Sequence, residues 1–370
     1  MLLKLVREHK KCGVQTEIIS LGTLGAVGRE LRSLGVVVHA VGAKGRRIPR
    51  IIEGFRFFQI IKRFSPNIIQ GWMYHGNFAA FLARYFVSPR PAIFWNIRQT
   101  LGALEDEAFL TRALIWLGSK ISQRADGIIF NSTESQRQHT RIGYAMEKGR
   151  FIPNGFDPAE YRVDHQRRYQ ERAKLGIKED GILVGHIGRY HPKKDHFRFF
   201  KVVAEILEKR SNVHVIAVGR DVSQSNTSLG NQLIGMRGGE RINLLGEKED
   251  LGSIYQALDI LVSSSAWGEG FSNVIGEGMA SECFCIATNV GEAARMIKGV
   301  GKVIEPKNVT ALAEAILEAV DMSELERKEV GARARQKIKE EYSIARIADR
   351  YLTLYRQAGI ESKNMDLMKN

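Results

Sequence analysis

The chain has 370 residues, of which 44% are hydrophobic and 26% charged, a composition typical of a globular protein with about two domains. Its formal net charge of +14 and pI of about 9.7 favour an anionic partner: a nucleic acid, an acidic lipid surface or a phosphorylated substrate. The sequence contains neither a nucleic-acid reader motif nor an apolar run of ~18 residues, so we expect no nucleic-acid partner and no transmembrane helix.

The first half of the chain alternates short apolar strands with helical stretches. It opens with an amphipathic helix, Leu2–Cys12, whose start carries charges throughout and lacks the cleavage pattern of a secretory leader. A doubly wound domain normally opens with a strand and a glycine-rich turn. We therefore expect the first strand of this domain to be missing, through a misassigned start or a truncation. The predicted strands are Gln15–Leu21, Val36–Val41, Asn67–Trp72, Ala92–Ile97, Asp126–Asn131 and Arg150–Pro153, and the predicted helices are Gly28–Leu34, Pro49–Phe64, Gly76–Tyr85, Phe109–Gln123 and Thr133–Ile142.

A basic segment, residues 44–64, lies early in this half. It carries apolar residues and one acidic residue, Glu53, among seven basic ones: Lys44, Arg46, Arg47, Arg50, Arg56, Lys62 and Arg63. Such a segment is either a basic amphipathic helix that lies on an anionic membrane surface or a sheet-covering helix with a solvated basic edge. The two interpretations are compatible with each other.

A second series of strands follows Pro153–Pro158 and a charged stretch. Strand–helix alternation implies parallel sheets with right-handed crossovers. Two such series predict an α/β protein with two Rossmann-like, doubly wound domains that face each other across a cleft, with ligands at the carboxyl ends of the strands. The predicted strands are Gly181–Ile187, Asn212–Val218, Ile242–Leu245, Ile260–Ser263, Cys283–Thr288 and Gly301–Ile304.

The three cysteines, Cys12, Cys283 and Cys285, are too few for a disulfide framework and fit a reducing cytoplasm. Cys283 and Cys285 form a lone C-x-C pair, whereas a zinc site needs about four ligands. Two small buried strand residues are the simpler interpretation, and we expect no metal.

Cations follow the first strand of the second series. The segment Gly185–Asp195 places Arg189 and Lys194 just beyond the strand's carboxyl end. Such cations can hold a diphosphate, which arginine does bidentately; the alternative is a charged, solvated loop. The segment is not a G-x-G-x-x-G fingerprint, so a dinucleotide cofactor is not indicated.

Two carboxylates stand eight residues apart, at Glu269 and Glu277. Ser272 between them is a predicted helix N-cap, and Asn273 begins the predicted helix. The N-terminus of this helix suits a phosphate, Glu269 can meet sugar hydroxyls, and Glu277 can accept two hydrogen bonds from a ribose diol. The pair is also compatible with the acid and base of a glycoside hydrolase or with two surface glutamates.

Taken together, Glu269-x7-Glu277 and Arg189-x4-Lys194 resemble the retaining glycosyltransferase family 4, of the GT-B fold. The resemblance extends over nearly the whole chain. Gly71–Asn77 and Trp95–Arg98 are similar to a bacterial subgroup tied to surface-polysaccharide assembly. Other segments resemble the family's interdomain region, its nucleotide-base segment and its crossover helix: Asn131–Glu134, His139, Ile142–Tyr144, Phe151–Asp157, Leu245–Asp250, Tyr255, Ala257, Asp259 and Tyr342–Tyr355.

The resemblance implies an N-terminal acceptor-binding domain over 1–157, a nucleotide-sugar-binding domain over 158–341, and a crossover helix and tail over 342–370. Arg189 and Lys194 would neutralise the leaving diphosphate, Glu269 would hold the transferred sugar, and Glu277 would bind the ribose. Such enzymes need no metal or other cofactor, since the nucleotide sugar is a substrate. The remaining donor-binding positions implied are Gly270, Phe271, Ser272, Asn273, Leu245 and Gly246.

Three departures from the family pattern accompany the resemblance. The expected absence of the first strand removes the family's Gly-Gly loop. The family often has a catalytic histidine where this chain has Asn96–Arg98, and His75, at a neighbouring strand end, either substitutes for it or is a structural residue. Ala280–Cys285 stands where Gly-x-Pro-Val is usual, which we expect to change a turn and strand packing.

The resemblance therefore implies a retaining transferase that moves a sugar from a nucleotide-sugar donor, preferably UDP-linked, to a lipid-linked or polysaccharide acceptor. The expected location is the cytoplasm, peripheral on the inner face of the plasma membrane. The alternatives are a nucleotide-sugar 2-epimerase of the same fold and a truncated, non-catalytic donor-binding protein, because fold alone does not fix function.

Overall fold

The structure of the protein is a computed structural model that describes residues 1–42, 50–102, 104 and 107–367, with the backbone alone for 50–52 and 360–367. The chain forms two compact units. The N-terminal unit comprises residues 1–155 and 344–370, and the C-terminal unit comprises residues 156–343. The start of the basic segment, residues 44–49, lies outside the described residues.

The N-terminal unit holds two parallel sheets, β1-β2 and β3-β4-β5-β6. Gly71 near the end of β3 lies so close to the backbone of Asn77 that a Cβ would come within 2.5 Å of it. The next helix therefore begins directly at Met73, three residues earlier than expected. The strands are β1 Glu17–Ser20, β2 Val37–Ala40, β3 Ile68–Trp72, β4 Ala92–Ile97, β5 Gly127–Phe130 and β6 Gly149–Phe151, and the helices are α1 Leu2–Lys11, α2 Ala26–Ser33, α3 Arg50–Phe64, α4 Met73–Ala83, α5 Phe109–Ile121, α6 Thr133–Arg141 and, at the end of the chain, α15 Ile344–Leu367.

The C-terminal unit holds one six-stranded parallel sheet of order β12-β11-β10-β7-β8-β9. Every residue of β7 and β10 is buried, as expected of parallel strands covered on both faces. The strands are β7 Ile182–Ile187, β8 Val213–Val218, β9 Ile242–Leu244, β10 Ile260–Ser263, β11 Phe284–Thr288 and β12 Gly301–Ile304, and the helices are α7 His165–Lys174, α8 His196–Lys209, α9 Thr227–Leu233, α10 Leu251–Ala257, α11 Asn273–Ala280, α12 Ala293–Ile297, α13 Val309–Asp321 and α14 Glu324–Glu341.

Buried ion pairs attach α7 to the amino edge of this sheet. The Asp259 carboxylate, just before β10, accepts hydrogen bonds from Arg168 and Arg172 and from the Leu183 N–H at 2.7 Å. Burial acts to raise the pKa of Asp259, but the two guanidinium groups outweigh it and lower the pKa. These three donors hold the Asp259 carboxylate at the edge of the sheet opposite the carboxyl ends of the strands.

The predicted α/β class is confirmed, and each of the twelve predicted strands is present. Cys285 lies on β11 and Cys283 just before it, both buried, as the simpler interpretation of the C-x-C pair expects. No described helix is both long enough and apolar enough to cross a membrane.

Candidate functional site

The strand order of the C-terminal unit places a crevice between β7 and β10. Counted along this unit, β7 is the first strand and β10 the fourth, and they pair in parallel, with Val262 beside His186. The order reverses between them, so the connections leave in opposite directions, and such a switch point is where open parallel sheets bind ligands. The loops that follow these two strands carry the sequence-predicted cations and the first predicted carboxylate.

Lys194 and Glu269 meet in this crevice although they are 75 residues apart. The Lys194 ammonium lies 2.7 Å from Glu269 Oε1, and each side chain is less than one-fifth exposed. The Ser265 hydroxyl donates to the same carboxylate oxygen at 3.0 Å. The structure thus brings together a cation and a carboxylate at the topological switch point, with Ser265 as a contributor that the sequence did not identify.

Backbone carbonyls fix the Lys194 loop in place. The Ser264 hydroxyl donates to the Lys194 carbonyl at 3.0 Å, and the Ala266 N–H donates to the Lys193 carbonyl at 2.7 Å. His186 Nε2 lies 3.2 Å from the Lys194 carbonyl, and burial lowers the pKa of this histidine well below its ordinary value. A neutral ring with its proton on Nε2 satisfies this contact, so His186 supports the loop from beneath.

Arg189 lies on the same loop, exposed to solvent. The residue before Arg189, Gly188, lies close to Gly219 at the end of the neighbouring strand β8. A Cβ on Gly219 would lie 2.2 Å from the Gly188 carbonyl oxygen, so this close approach requires a glycine. The Gly219 N–H donates to the Gly246 carbonyl at 2.9 Å. Leu245 and Gly246 therefore lie at the same edge of the sheet as Arg189.

The loop after β10 leads into α11, which begins at Asn273. Ser272 occupies the N-cap position as predicted, but its hydroxyl is buried and makes no hydrogen bond. The Phe271 ring is buried and stacks against Phe156 at 6.1 Å, while the Gly270 carbonyl accepts a hydrogen bond from the turn after β11. What this segment can offer a ligand is therefore its backbone, including the first N–H groups of α11, which have no acceptor inside the helix.

Glu277 projects from the second turn of α11 between two tyrosines. The buried Tyr255 hydroxyl donates to Glu277 Oε2 at 2.8 Å, and the Tyr161 hydroxyl also bonds this carboxylate. Burial first, and then the carboxylate, raise the pKa of both phenols, so both remain donors. No sequence motif marks Tyr161, because it comes from the segment between the two strand series and meets Glu277 only in the fold.

The remaining predicted residue, His75, belongs to the N-terminal unit. It is exposed and is the third residue of α4, so it lies in the first turn of a helix rather than on a strand end. Arg98 just beyond β4 donates to Asn96 at 3.1 Å and to the Tyr351 hydroxyl of α15 at 3.2 Å. Burial lowers the pKa of Arg98, and these bonds give it a structural role in this unit.

Within the part of the chain that the structure describes, no group of three or more His, Cys, Asp or Glu side chains is arranged to hold a metal ion. A cavity of about 330 Å³ lies between α1 and the β1-β2 sheet, and none of the predicted site residues lines it.

The site can be compared with known protein families. The family described as "Glycosyl transferase 4-like domain" matches residues 1–155, and the family described as "Glycosyl transferases group 1" matches residues 167–337. The second match contains every predicted site residue of the C-terminal unit.

Curated relatives point the same way. A UDP-Gal:alpha-D-GlcNAc-diphosphoundecaprenol alpha-1,3-galactosyltransferase from Escherichia coli is 27% identical over 96% of this chain and 77% of its own length. The lipopolysaccharide core biosynthesis mannosyltransferase LpsB of Rhizobium meliloti is 24% identical over 63% of this chain and 70% of its own length.

Solved structures agree on the fold. A glycosyltransferase from Rickettsia africae superposes with a TM-score of 0.81 at 18% identity, covering 96% of this chain and 93% of the other. Anabaena Alr3699/HepE, solved in complex with UDP, superposes with a TM-score of 0.80 at 20% identity, covering 96% and 95%.

The two parallel α/β units define a protein of the GT-B class. The chain belongs to the family 4 glycosyltransferases, as the two family matches and the relatives show, and it is a glycosyltransferase of hexosyltransferase type. The epimerase and the non-catalytic alternatives are not favoured by these relatives.

Proposed function

We propose that the C-terminal unit binds a nucleoside-diphosphate sugar, preferably UDP-linked, and that the enzyme transfers the sugar with retention of its anomeric configuration. The observation that carries this proposal is the Lys194–Glu269 pair at the switch point between β7 and β10. A cation and a hydroxyl acceptor in one crevice suit the two halves of a sugar phosphate. The E. coli relative named for UDP-Gal and the UDP complex of the Anabaena protein support the choice of nucleotide.

The diphosphate would lie between Lys194, the exposed Arg189 and the N-terminus of α11. Charge-assisted hydrogen bonds from cations are the strong contacts to phosphate, and the helix terminus adds a dipole that favours negative charge. Backbone groups of Gly270 and Ser272 would contact the sugar and phosphate, and Glu269 would accept hydrogen bonds from sugar hydroxyls.

The ribose would bind Glu277. An ionised carboxylate offers about four acceptor positions, and the hydroxyls of Tyr161 and Tyr255 occupy two of them. These two donors orient the carboxylate that would accept the hydrogen bonds of the ribose diol. Leu245 and Gly246 would lie beside the base.

The reaction proposed needs no protein nucleophile. The bond between the anomeric carbon and the phosphate oxygen breaks, and the acceptor oxygen bonds that carbon on the same face. The acceptor proton passes to the departing phosphate oxygen. Lys194 and Arg189 stabilise the negative charge that develops on the diphosphate, which is the main electrostatic contribution. His75 of the N-terminal unit is proposed as an additional group on the acceptor side.

The acceptor proposed is lipid-linked or a growing glycan, because the E. coli relative is named for a diphosphoundecaprenol substrate and LpsB for lipopolysaccharide core biosynthesis. The basic segment 44–64 would hold the enzyme on the anionic inner face of the plasma membrane. Arg56, Lys62 and Arg63 on α3 are exposed and available for this contact. Vesicle flotation of an R46E/R47E/R50E variant tests it: undiminished binding to anionic vesicles contradicts the role of this segment.

Donor binding is tested by thermal unfolding with UDP, GDP and ADP at equal concentration, since a ligand stabilises in proportion to ln(1 + [L]/Kd). UDP should raise the unfolding temperature most. Labelled transfer from UDP-sugars to a diphosphoprenol acceptor then tests turnover. Lys194→Ala should abolish transfer, whereas Lys201→Ala, an exposed lysine on α8, should not. Wild-type transfer by Lys194→Ala contradicts the site, and conversion of the donor to its epimer without acceptor points to the alternative enzyme.

A further inference from the structure

Helix α5 of the N-terminal unit exposes large apolar side chains. Phe109 is 78% exposed, Leu110 59% and Trp116 64%. On the other side of the helix, Ile115 is buried and Leu114 packs against the core of the unit. Single exposed apolar residues are ordinary, but three large ones within eight residues of one helix mark an interaction site.

The exposed face of α5 alternates apolar and basic groups. Phe109, Arg112, Trp116 and Lys120 are spaced three, four and four residues apart, and side chains at this spacing lie along one face of a helix. Arg112 and Lys120 are exposed as well. From residue 109 to residue 124 the chain has three basic residues and no acidic one, and three acidic residues, Glu105, Asp106 and Glu107, precede this stretch in the sequence. We call Phe109, Leu110, Arg112, Trp116 and Lys120 the α5 face.

The α5 face is continuous with the side of the unit that carries α3. The 3₁₀ turn Arg84–Phe86 joins them: the Arg84 guanidinium donates to the Arg124 carbonyl at 2.7 Å, and the Phe86 ring stacks on Phe58 of α3 at 3.8 Å. Phe86 itself is 50% exposed. Exposed aromatic rings and cations therefore extend from α5 to the helix of the basic segment.

We infer that the α5 face inserts into the headgroup region of an anionic phospholipid bilayer. Tryptophan and phenylalanine rings partition into this interface. Arg112 and Lys120 can lay their aliphatic stems along the apolar surface and extend their charges to lipid phosphates. The exposed cations of the α5 face, Arg112 and Lys120, match an anionic surface, and a second copy of the chain is the alternative that sedimentation tests below. The inference rests on the proposed function in that a lipid-linked acceptor brings the enzyme to a bilayer.

Insertion differs measurably from adsorption by the basic segment. Attraction between exposed charges weakens with salt, because the screening length falls from about 10 Å at 0.1 M to about 3 Å at 1 M. Burial of rings in the interface does not weaken in this way. An R46E/R47E/R50E variant should therefore lose the salt-sensitive part of vesicle binding, and a variant of the α5 face should lose the part that remains in high salt.

The experiment compares the wild type with F109S/L110S/W116S in flotation on phosphatidylglycerol-containing vesicles at 0.1 and 0.5 M NaCl. We expect binding to fall about tenfold or more at the higher salt, in keeping with the apolar area removed. Ile234→Ser, 77% exposed in the C-terminal unit, is the matched control and should bind as wild type. UDP stabilisation of the triple variant shows that it is folded and separates this result from donor binding.

A second measurement tests whether the Trp116 ring enters the bilayer. Vesicles with brominated acyl chains should quench the tryptophan fluorescence of the wild type, and Trp116→Phe should still bind but lose most of the quenching. The inference is overturned if the wild type does not bind, if the triple variant binds as wild type in high salt, or if Trp116→Phe is quenched equally. It is likewise overturned if the triple variant keeps its vesicle binding and instead loses a self-associated form in sedimentation.

Discussion

Replacing Glu269 by glutamine should strengthen UDP binding, whereas replacing Glu277 by glutamine should weaken it. Lys194 lies 2.7 Å from Glu269, so the carboxylate neutralises this cation in the absence of a ligand. Glutamine keeps the size of the side chain and can still accept from Ser265. UDP has no sugar hydroxyl for Glu269 to hold, but its diphosphate competes with Glu269 for Lys194.

The expected gain in UDP affinity follows from the lost charge. Two unit charges ~4 Å apart interact by about 1 kcal/mol in water and about 4 kcal/mol near a protein surface. Because both side chains remain partly exposed and salt screens them, we use the lower value, which corresponds to about fivefold tighter UDP binding. Transfer from a UDP-sugar should nevertheless fall by at least ~100-fold, since the charged acceptor for the sugar hydroxyls is lost.

Titration calorimetry with UDP at 50 and 500 mM salt measures this directly. Glu277→Gln should weaken UDP binding by about tenfold, because the ribose loses its charged acceptor, so the two variants should move in opposite directions. Glu205→Gln, exposed on α8, is the matched control. Equal losses of UDP affinity in both variants, or wild-type transfer by Glu269→Gln, refute the assigned roles.

Four further predictions concern the Glu277 site, the packing of the C-terminal unit, a buried histidine and the expected absence of a metal. Tyr255→Phe removes the 2.8 Å hydrogen bond to Glu277 and should weaken UDP binding about three- to tenfold, with less effect on 2′-deoxy-UDP; titration with both ligands measures it. Gly276→Ala places a Cβ 1.9 Å from the Phe156 ring and should lower the unfolding free energy by ~1–3 kcal/mol in urea titrations. Burial lowers the pKa of His139 to about 4, so the unfolded chain binds one more proton at this residue, and His139 contributes ~1.4 kcal/mol per pH unit to the fall in stability from about pH 6.5 towards pH 4; His139→Gln should reduce the slope of stability against pH by that amount in urea titrations, since His9, His186 and His196 contribute in the same direction. Transfer should be insensitive to EDTA, and activity lost in EDTA but restored by magnesium contradicts the metal-free scheme.

The approach of distant segments in the C-terminal unit could be predicted because its strands are recognisable as continuous apolar runs. Once the strands are located, the switch-point rule brings the loops after β7 and β10 together. Lys194 and Glu269 could therefore be paired from the sequence despite their separation. The side-chain detail was not available: Ser272 marks the start of α11, but its hydroxyl does not cap the helix, because a motif fixes a position and not a rotamer.

Contacts between segments that no pattern relates could not be predicted at all. Tyr161 reaches Glu277 only in the fold. The family resemblance implies that the helix of Tyr351 returns to the N-terminal unit, but not that Tyr351 meets Arg98 across 253 residues. The exposed side of α5, which carries the α5 face, could not be predicted from the sequence either. Its sequence, Phe109–Ile121, has apolar residues on every side, so periodicity predicts a helix without indicating which residues are buried. Only the packing of Ile115 inward leaves Trp116 outward, and that orientation turns an unremarkable apolar helix into a candidate surface for a lipid bilayer.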